Sequence, residues 1–280
     1  MTSVRLLAVD IDGTLLDSQW NLTETNRRAL TEAYHRGVQI VFVTGRRYHI
    51  THPITSTFQF PHFVITTAGA MTRSQSGERI YAHTLDPGLA RELLAHIQVL
   101  RPFTFLISDA NGREDLACES PLLENVHVAR YVQLNTNHME KHADLNDAVS
   151  EHLIEVVLLG HVDEMRNAMA LIDTFPRHQE LKVLRTEYTT RDLCLLDVVT
   201  ASTDKGLAVH QLASHLNIPR EAVMAIGDNH SDLAMLNYAR YPVVMGNATE
   251  ELKSMGWPIT SGNDEDGVAQ AINRYILNAK

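Results

Sequence analysis

The sequence predicts an α/β protein in which a parallel sheet flanked by helices is interrupted by an inserted α+β unit. Three observations carry this. Short, β-branched apolar runs alternate with stretches of helical spacing towards both ends of the chain. Several of these runs end in a polar residue or a glycine. Between residues 84 and 188 the pattern changes to helices interleaved with strands and hairpin signals.

Residues 4–9 form the first run, broken only by Arg5, and lead into Asp10-Ile11-Asp12-Gly13-Thr14. A buried strand thus ends in a carboxylate at the carboxyl edge of the sheet, where open α/β folds bind ligands. Two carboxylates one residue apart do not both ionise cheaply without a cation or a shared proton. They suit a nucleophile and an acid/base beside Mg²⁺, and a plain strand entering an Asp-Gly turn is the other reading. Thr23 is the expected N-cap of a helix with Ala29, Leu30, Ala33 and Tyr34 at helical spacing, ended by Gly37. Residues 38–43 are the second strand, parallel to the first by right-handed crossover. It ends in Thr44-Gly45-Arg46. There the Thr44 hydroxyl and the Gly45 N–H can serve a phosphate oxygen, or Thr44 can cap the next helix. Residues 63–67 are the third strand, followed by Ala68-Gly69-Ala70 and a strand pair turning at Ser76-Gly77.

In the insert, residues 87–100 and 162–175 read as amphipathic helices. Residues 104–108, 153–159, 181–184 and 192–198 read as strands, and Asp109-Ala110-Asn111-Gly112 as a turn. The polar, His-rich residues 119–146 carry no clear period. The expected division is a core of residues 1–83 and 189–280 and an insert of residues 84–188.

The parallel pattern resumes at Lys205, which opens a helix with Leu207, Val209, Leu212 and Leu216 on its apolar face. A cation in a first turn opposes the helix dipole; Lys205 either reaches a bound anion or is simply exposed. Residues 223–226 form a strand ending in Gly227-Asp228-Asn229-His230-Ser231-Asp232. Asp232 also suits the first turn of the following helix, whereas Asp228 holds a strand-end position like those of Asp10 and Thr44. Residues 241–245 and 258–260 read as the last strands and 267–277 as a closing helix.

The net charge of −10 argues against nucleic acid as the main partner, while a locally positive pocket for a small anion stays open. The two cysteines, Cys118 and Cys194, are far apart and make no metal pattern, which predicts free thiols in a reducing compartment. The 15 histidines show no zinc-helix spacing and read mostly as surface residues. No apolar run approaches the roughly 20 residues that span a bilayer, and the first run is too short for a signal core. The expectation is a cytoplasmic protein without membrane contact.

Taken in order, Asp10-Ile11-Asp12-Gly13-Thr14, Thr44-Gly45-Arg46, Lys205 and Gly227-Asp228-Asn229-His230-Ser231-Asp232 resemble the haloacid dehalogenase superfamily. The insertion between Thr44 and Lys205 resembles its type IIB members. Met245-Gly246-Asn247-Ala248 and Asp266-Gly267-Val268-Ala269 resemble the Cof-type hydrolases. The resemblance implies a Rossmann-like core with a C2-type α+β cap that closes over the site and selects the substrate. It implies Asp10 as the nucleophile that becomes an aspartyl phosphate, and Asp12 as the acid that protonates the leaving alcohol and then activates water. Thr44, Gly45, Lys205 and Ser231 would bind phosphoryl oxygens. Asp10, Asp228 and the backbone carbonyl of Asp12 would hold Mg²⁺, with Asp232 supporting them from behind. The implied activity is a Mg²⁺-dependent phosphatase of a small phosphorylated metabolite such as a sugar phosphate. A phosphomutase would need the same Asp12, and an idle metabolite sensor would not need the intact set. The chain departs from the family's usual pattern at Ser231, where Asn is usual, and at Ala68, where Asn-Gly-Ala is often found. Oligomeric state is left open by the sequence.

Overall fold

A computed structural model describes residues 4–110 and 112–278; the Asn111 position of the expected turn lies outside them. The strand β1 (Leu6–Asp10) is followed by α1 (Glu24–His35), β2 (Gln39–Val43), α2 (Tyr48–Thr55), β3 (Phe63–Thr66), β4 (Met71–Ser74) and β5 (Arg79–Ala82). Then come α3 (Pro87–His96), β6 (Thr104–Ala110), β7 (Arg113–Cys118), α4 (Val126–Asn135), β8 (Met139–Lys141), β9 (Leu153–Gly160), α5 (Val162–Asp173), β10 (Leu181–Tyr188) and β11 (Leu193–Thr200). The chain ends through α6 (Lys205–His215), β12 (Val223–Gly227), α7 (Leu233–Tyr238), β13 (Tyr241–Val244), α8 (Glu250–Lys253) and α9 (Gly267–Ile272).

Two compact units result: Met1–Ala82 with Asp204–Lys280, and His83–Thr203. The return to the first unit therefore falls after Thr203 rather than at the expected residue 189. The cause is β11, which pairs antiparallel with β10 from Leu193 to Thr200 and with β9 from Cys194 to Val198, so it belongs to the insert's sheet.

In the first unit the strand order is β13-β12-β1-β2-β3-β4-β5. The pairs from β13 through β3 are parallel, and β4 and β5 add antiparallel at one edge. Every residue of β1 and β12 is buried, as central parallel strands covered on both faces require. Helix α1 starts where the Thr23 hydroxyl accepts the N–H of Asn26 and ends before Gly37, whose φ is +86°. It packs on α9, and α6 packs on α7. Pro258-Ile259-Thr260 does not make a strand; it contributes only a bridge between Val244 and Ile259, since Pro258 has no N–H to donate.

In the insert the order is β10-β11-β9-β6-β7-β8, antiparallel except for β7 with β8. Side chains alternate faces with period two. Leu106, Val156, Leu158, Leu196 and Val198 pack with α3 and α5, while Phe105, Ile107, Val157 and Leu159 pack with Val128 of α4. The stretch without a clear period thus holds α4 and β8. Its helix is marked by Asn125, whose side chain accepts the N–H groups of His127 and Val128. Helix α3 stops at His96, short of the expected residue 100, and Gln98–Phe103 continues as tighter turns.

Beyond β3, Thr67 and Ala68 both take left-handed backbone, at φ +49° and +52°. For a residue with a Cβ that conformation costs about 1–2 kcal/mol. Ala68→Gly should therefore raise stability by about 0.5–1 kcal/mol after its greater unfolded-state entropy is subtracted, and Ala68→Val should lower it. Urea midpoints of the two variants check this; a destabilised glycine variant would show that Ala68 packs rather than strains.

Candidate active site

The parallel register brings three strand ends to one edge. Asp10 lies opposite Val43 of β2, and Val9 lies opposite Ile226 of β12, so the chain leaves β1, β2 and β12 side by side at their carboxyl ends. Lys205 opens α6, whose next residue, Gly206, lies against α7: a Cβ there would come within 2.4 Å of the Ala234 carbonyl oxygen. That close approach carries the lysine into the same edge.

The Lys205 ammonium is the centre of the cluster. Nζ donates to Asp10 Oδ1 at 2.6 Å, to Asp232 Oδ1 at 2.6 Å and to Ser231 Oγ at 3.3 Å. All three charged side chains are almost wholly buried. Asp232 uses its other oxygen to accept the N–H groups of Asp228 and Asn229. Asp228 Oδ1 accepts the Thr14 hydroxyl at 2.8 Å. Carboxylate oxygens of Asp10, Asp228 and Asp232 all lie within 4.8 Å of one another. Space for them depends on Gly13, at φ +79°, where a Cβ would meet Asp228 Oδ2 at 2.5 Å.

Three carboxylates facing one ammonium leave an excess of negative charge. Burial, then the Asp232 charge, raise the Asp10 carboxyl well above the ordinary range despite the pull of Lys205. Burial and Asp232 likewise push Asp228 up to about 6, against the Thr14 hydroxyl and Lys205. Burial alone would lower Lys205, but Asp10 and Asp232 outweigh it and hold the ammonium above the usual lysine range. The pair is asymmetric because Lys205 sees two opposite charges, whereas Asp10 sees one opposite and two like. A hard cation would relieve that excess, and an all-oxygen donor set suits one. Asp232 has both oxygens on protein donors, while Asp10 and Asp228 each have one so placed among the described residues, which leaves the latter two able to ligate.

Asp12 stands apart from this cluster. Its carboxylate is held by Arg46, Nε to Oδ2 at 2.9 Å and Nη2 to Oδ1 at 2.5 Å, with the Thr44 hydroxyl 3.4 Å from Oδ2. Thr44 Oγ1 also accepts the Arg46 N–H at 3.0 Å in a local turn; it does not cap the next helix as one reading of the sequence expected, because the N-cap position of α2 is Arg47. Gly45 is exposed, with open space where a Cβ would stand.

Of the residues singled out from sequence, Asp10, Lys205, Ser231, Asp228 and Asp232 converge, and Asp12 and Thr44 form a neighbouring pair. Thr14, Arg46 and Asn247 were not given roles in advance. Asn247 Nδ2 donates to the Gly13 carbonyl at 2.8 Å, tying the first motif to the turn after β13. All three sit within the quoted motifs, so their positions are the available signal.

Comparison with known proteins finds one family along the chain. A family model described as haloacid dehalogenase-like hydrolase matches residues 7–272. Phosphatase YwpJ of Bacillus subtilis is 28% identical, over 98% of this chain and 100% of its own. The 5-amino-6-(5-phospho-D-ribitylamino)uracil phosphatase YcsE of the same organism is 26% identical, over 98% of this chain and 96% of its own. A solved haloacid dehalogenase-like hydrolase from Bacteroides thetaiotaomicron superposes with a TM-score of 0.79 at 26% identity, covering 97% of this chain and 99% of that one.

Proposed function

This chain belongs to the haloacid dehalogenase-like hydrolases, and from that premise we propose that it is a Mg²⁺-dependent phosphatase releasing phosphate from a small phosphorylated metabolite through an aspartyl-phosphate intermediate. The observation that carries the reading is the buried Asp10, held by Lys205 in a cluster with Asp228 and Asp232. Such a carboxylate is aligned by one ammonium and is short of positive charge, which is the state of a nucleophile awaiting cation and phosphoryl group.

Asp10 attacks phosphorus, forming the Asp10 O–P bond as the leaving alcohol's P–O bond breaks. Asp12 gives that alcohol its proton, then takes one from the water that splits the acyl phosphate. Lys205, the Thr44 hydroxyl, Ser231 and the Gly45 N–H bind the phosphoryl oxygens. Asp10, Asp228 and the Asp12 carbonyl would hold Mg²⁺, which supplies charge neutralisation for the anionic attack, while Asp232 fixes Lys205 and the turn at Asp228 and Asn229. Relatives named as phosphatases support a small phosphorylated substrate, and the insert is read as the part that selects among such substrates. Among the described residues no helix is long and apolar enough to cross a membrane.

Phosphate release from a panel of cyclic and acyclic phosphomonoesters, with Mg²⁺ and with chelator, tests the reading. Metal-dependent release from at least one ester is expected; no release from any, by folded protein, would leave the sensor reading in its place.

The carboxyl groups also make metal binding pH-dependent. Raised carboxyl values mean that the metal-free fold keeps protons which the unfolded chain has lost, so its stability falls as pH rises from the ordinary carboxylate range of 3.8 through about 6. A cation must displace those protons. The increase in melting temperature on adding Mg²⁺ should therefore be larger at about pH 7.5 than at about pH 5. Calorimetric scans at both pH values decide this, and equal increases would place the metal elsewhere.

A further inference from the structure

The guanidinium of Arg46 is engaged on two sides. Its edge meets both oxygens of Asp12, and its face rests on the Trp20 indole, 5.0 Å from the ring centroid. Trp20 stands in the loop between Leu16 and Leu22, which a backbone bridge closes. The Asp17 carboxylate fixes that loop by accepting the N–H groups of Gln19 and Asn21 at 2.9 and 2.8 Å. Trp20 is 57% exposed and has a left-handed φ of +67°. A bulky residue takes that backbone at a cost in strain, and an indole this exposed returns little core burial. The loop thus holds an aromatic face at a fixed place beside the proton carrier.

We propose that Arg46 is a placeholder for the leaving group, and that Trp20 is the surface on which the leaving group stacks; this rests on the phosphatase reading above. The argument is one of space. To act as an acid, Asp12 must present a protonated oxygen within hydrogen-bond reach of the leaving oxygen. Arg46 covers both oxygens, and a carboxyl carrying a proton on that edge cannot accept from Nε and Nη2 together. The leaving alcohol must therefore displace the guanidinium from at least one oxygen, and the face that a displaced guanidinium uncovers is the indole on which it rests. The displaced guanidinium keeps a fork suited to phosphoryl oxygens. Indole faces favour flat partners. The leaving group's class is then a ring with a flat apolar face, whether a cyclic sugar or a planar heterocycle, rather than a short flexible chain.

The test compares kcat/KM for the best cyclic and the best acyclic ester of the panel in wild type, Trp20→Ala and Trp20→Phe. Trp20→Ala should lower the cyclic-to-acyclic ratio about tenfold, mainly through KM, and Trp20→Phe should keep it. Equal loss on both esters would make Trp20 a merely structural support and overturn the proposal, as would a wild type that hydrolyses only acyclic esters. Absence of turnover of every ester by wild type would be a failure of the phosphatase reading itself, and the proposal would fall with it.

Discussion

Asp10→Asn should abolish phosphate release, lowering kcat by about 10⁴-fold or more, while the protein stays folded and, without metal, melts higher than wild type. Both effects follow from one side chain. The amide is isosteric and keeps an oxygen to accept from Lys205 Nζ, now 2.6 Å from Asp10 Oδ1, but it is no nucleophile. It also removes a buried carboxylate whose ionisation burial and Asp232 oppose, so the like-charge repulsion in the cluster falls. Added Mg²⁺ should stabilise the variant less than wild type, because one ligand has lost its charge. Phosphate assays and thermal melts on the same preparation check both halves. Release at the wild-type rate would remove Asp10 from the nucleophile's role, and a lower melting temperature would show that Asp10 and Lys205 attract more than the carboxylates repel.

Lys205→Met should have the largest effect on stability. Methionine fills much of the same volume but leaves Asp10 and Asp232 buried with no ammonium between them. Breaking a buried pair in this way costs about 3–5 kcal/mol, and here the side chains are only 4%, 5% and 0% exposed, so little water remains to screen the charges. Phosphate release should fall by about 10³-fold as well, since the same group would meet the phosphoryl oxygens. Urea unfolding with and without Mg²⁺ reads the first effect, and Mg²⁺ should restore part of the loss. A change in stability below about 1 kcal/mol would mean that the carboxyls simply hold protons in place of the lysine.

The parallel core was legible because its physics is local and repetitive. Strand ends at Asp10 and Gly227, the Thr23 cap and the Gly37 stop each follow from residues within a few positions. The second boundary of the insert was not legible, because nothing in Leu193–Thr200 says which sheet it joins; its partners on β9 and β10 decide that. Residues 119–146 hid a helix because α4 buries only Val128 and Asn135 along its length, too few for a period. In the site, the motifs named the charged residues, yet their pairing was tertiary. Lys205 meets two carboxylates where the sequence left open a bound anion or an exposed side chain, and the Asp12 carboxylate turns to Arg46. The sequence had marked Arg46 only as the end of a motif, and Trp20 not at all, since an isolated aromatic in a polar loop has no pattern to betray it.

The pairing of Leu6 with Val223 has a consequence for how the molecule is made. The central parallel strands are drawn from the two ends of the chain, whereas the insert is one uninterrupted segment. On a ribosome the insert can acquire its fold while β12 is still unsynthesised, and β1 must wait with an open edge for its neighbour. Loop closure over such a separation is slow. The cluster of Asp10, Lys205, Asp228 and Asp232 therefore cannot exist until Asp228 and Asp232 have emerged, so Asp10 meets neither metal nor phosphate in an assembled charge cluster while the insert is being made.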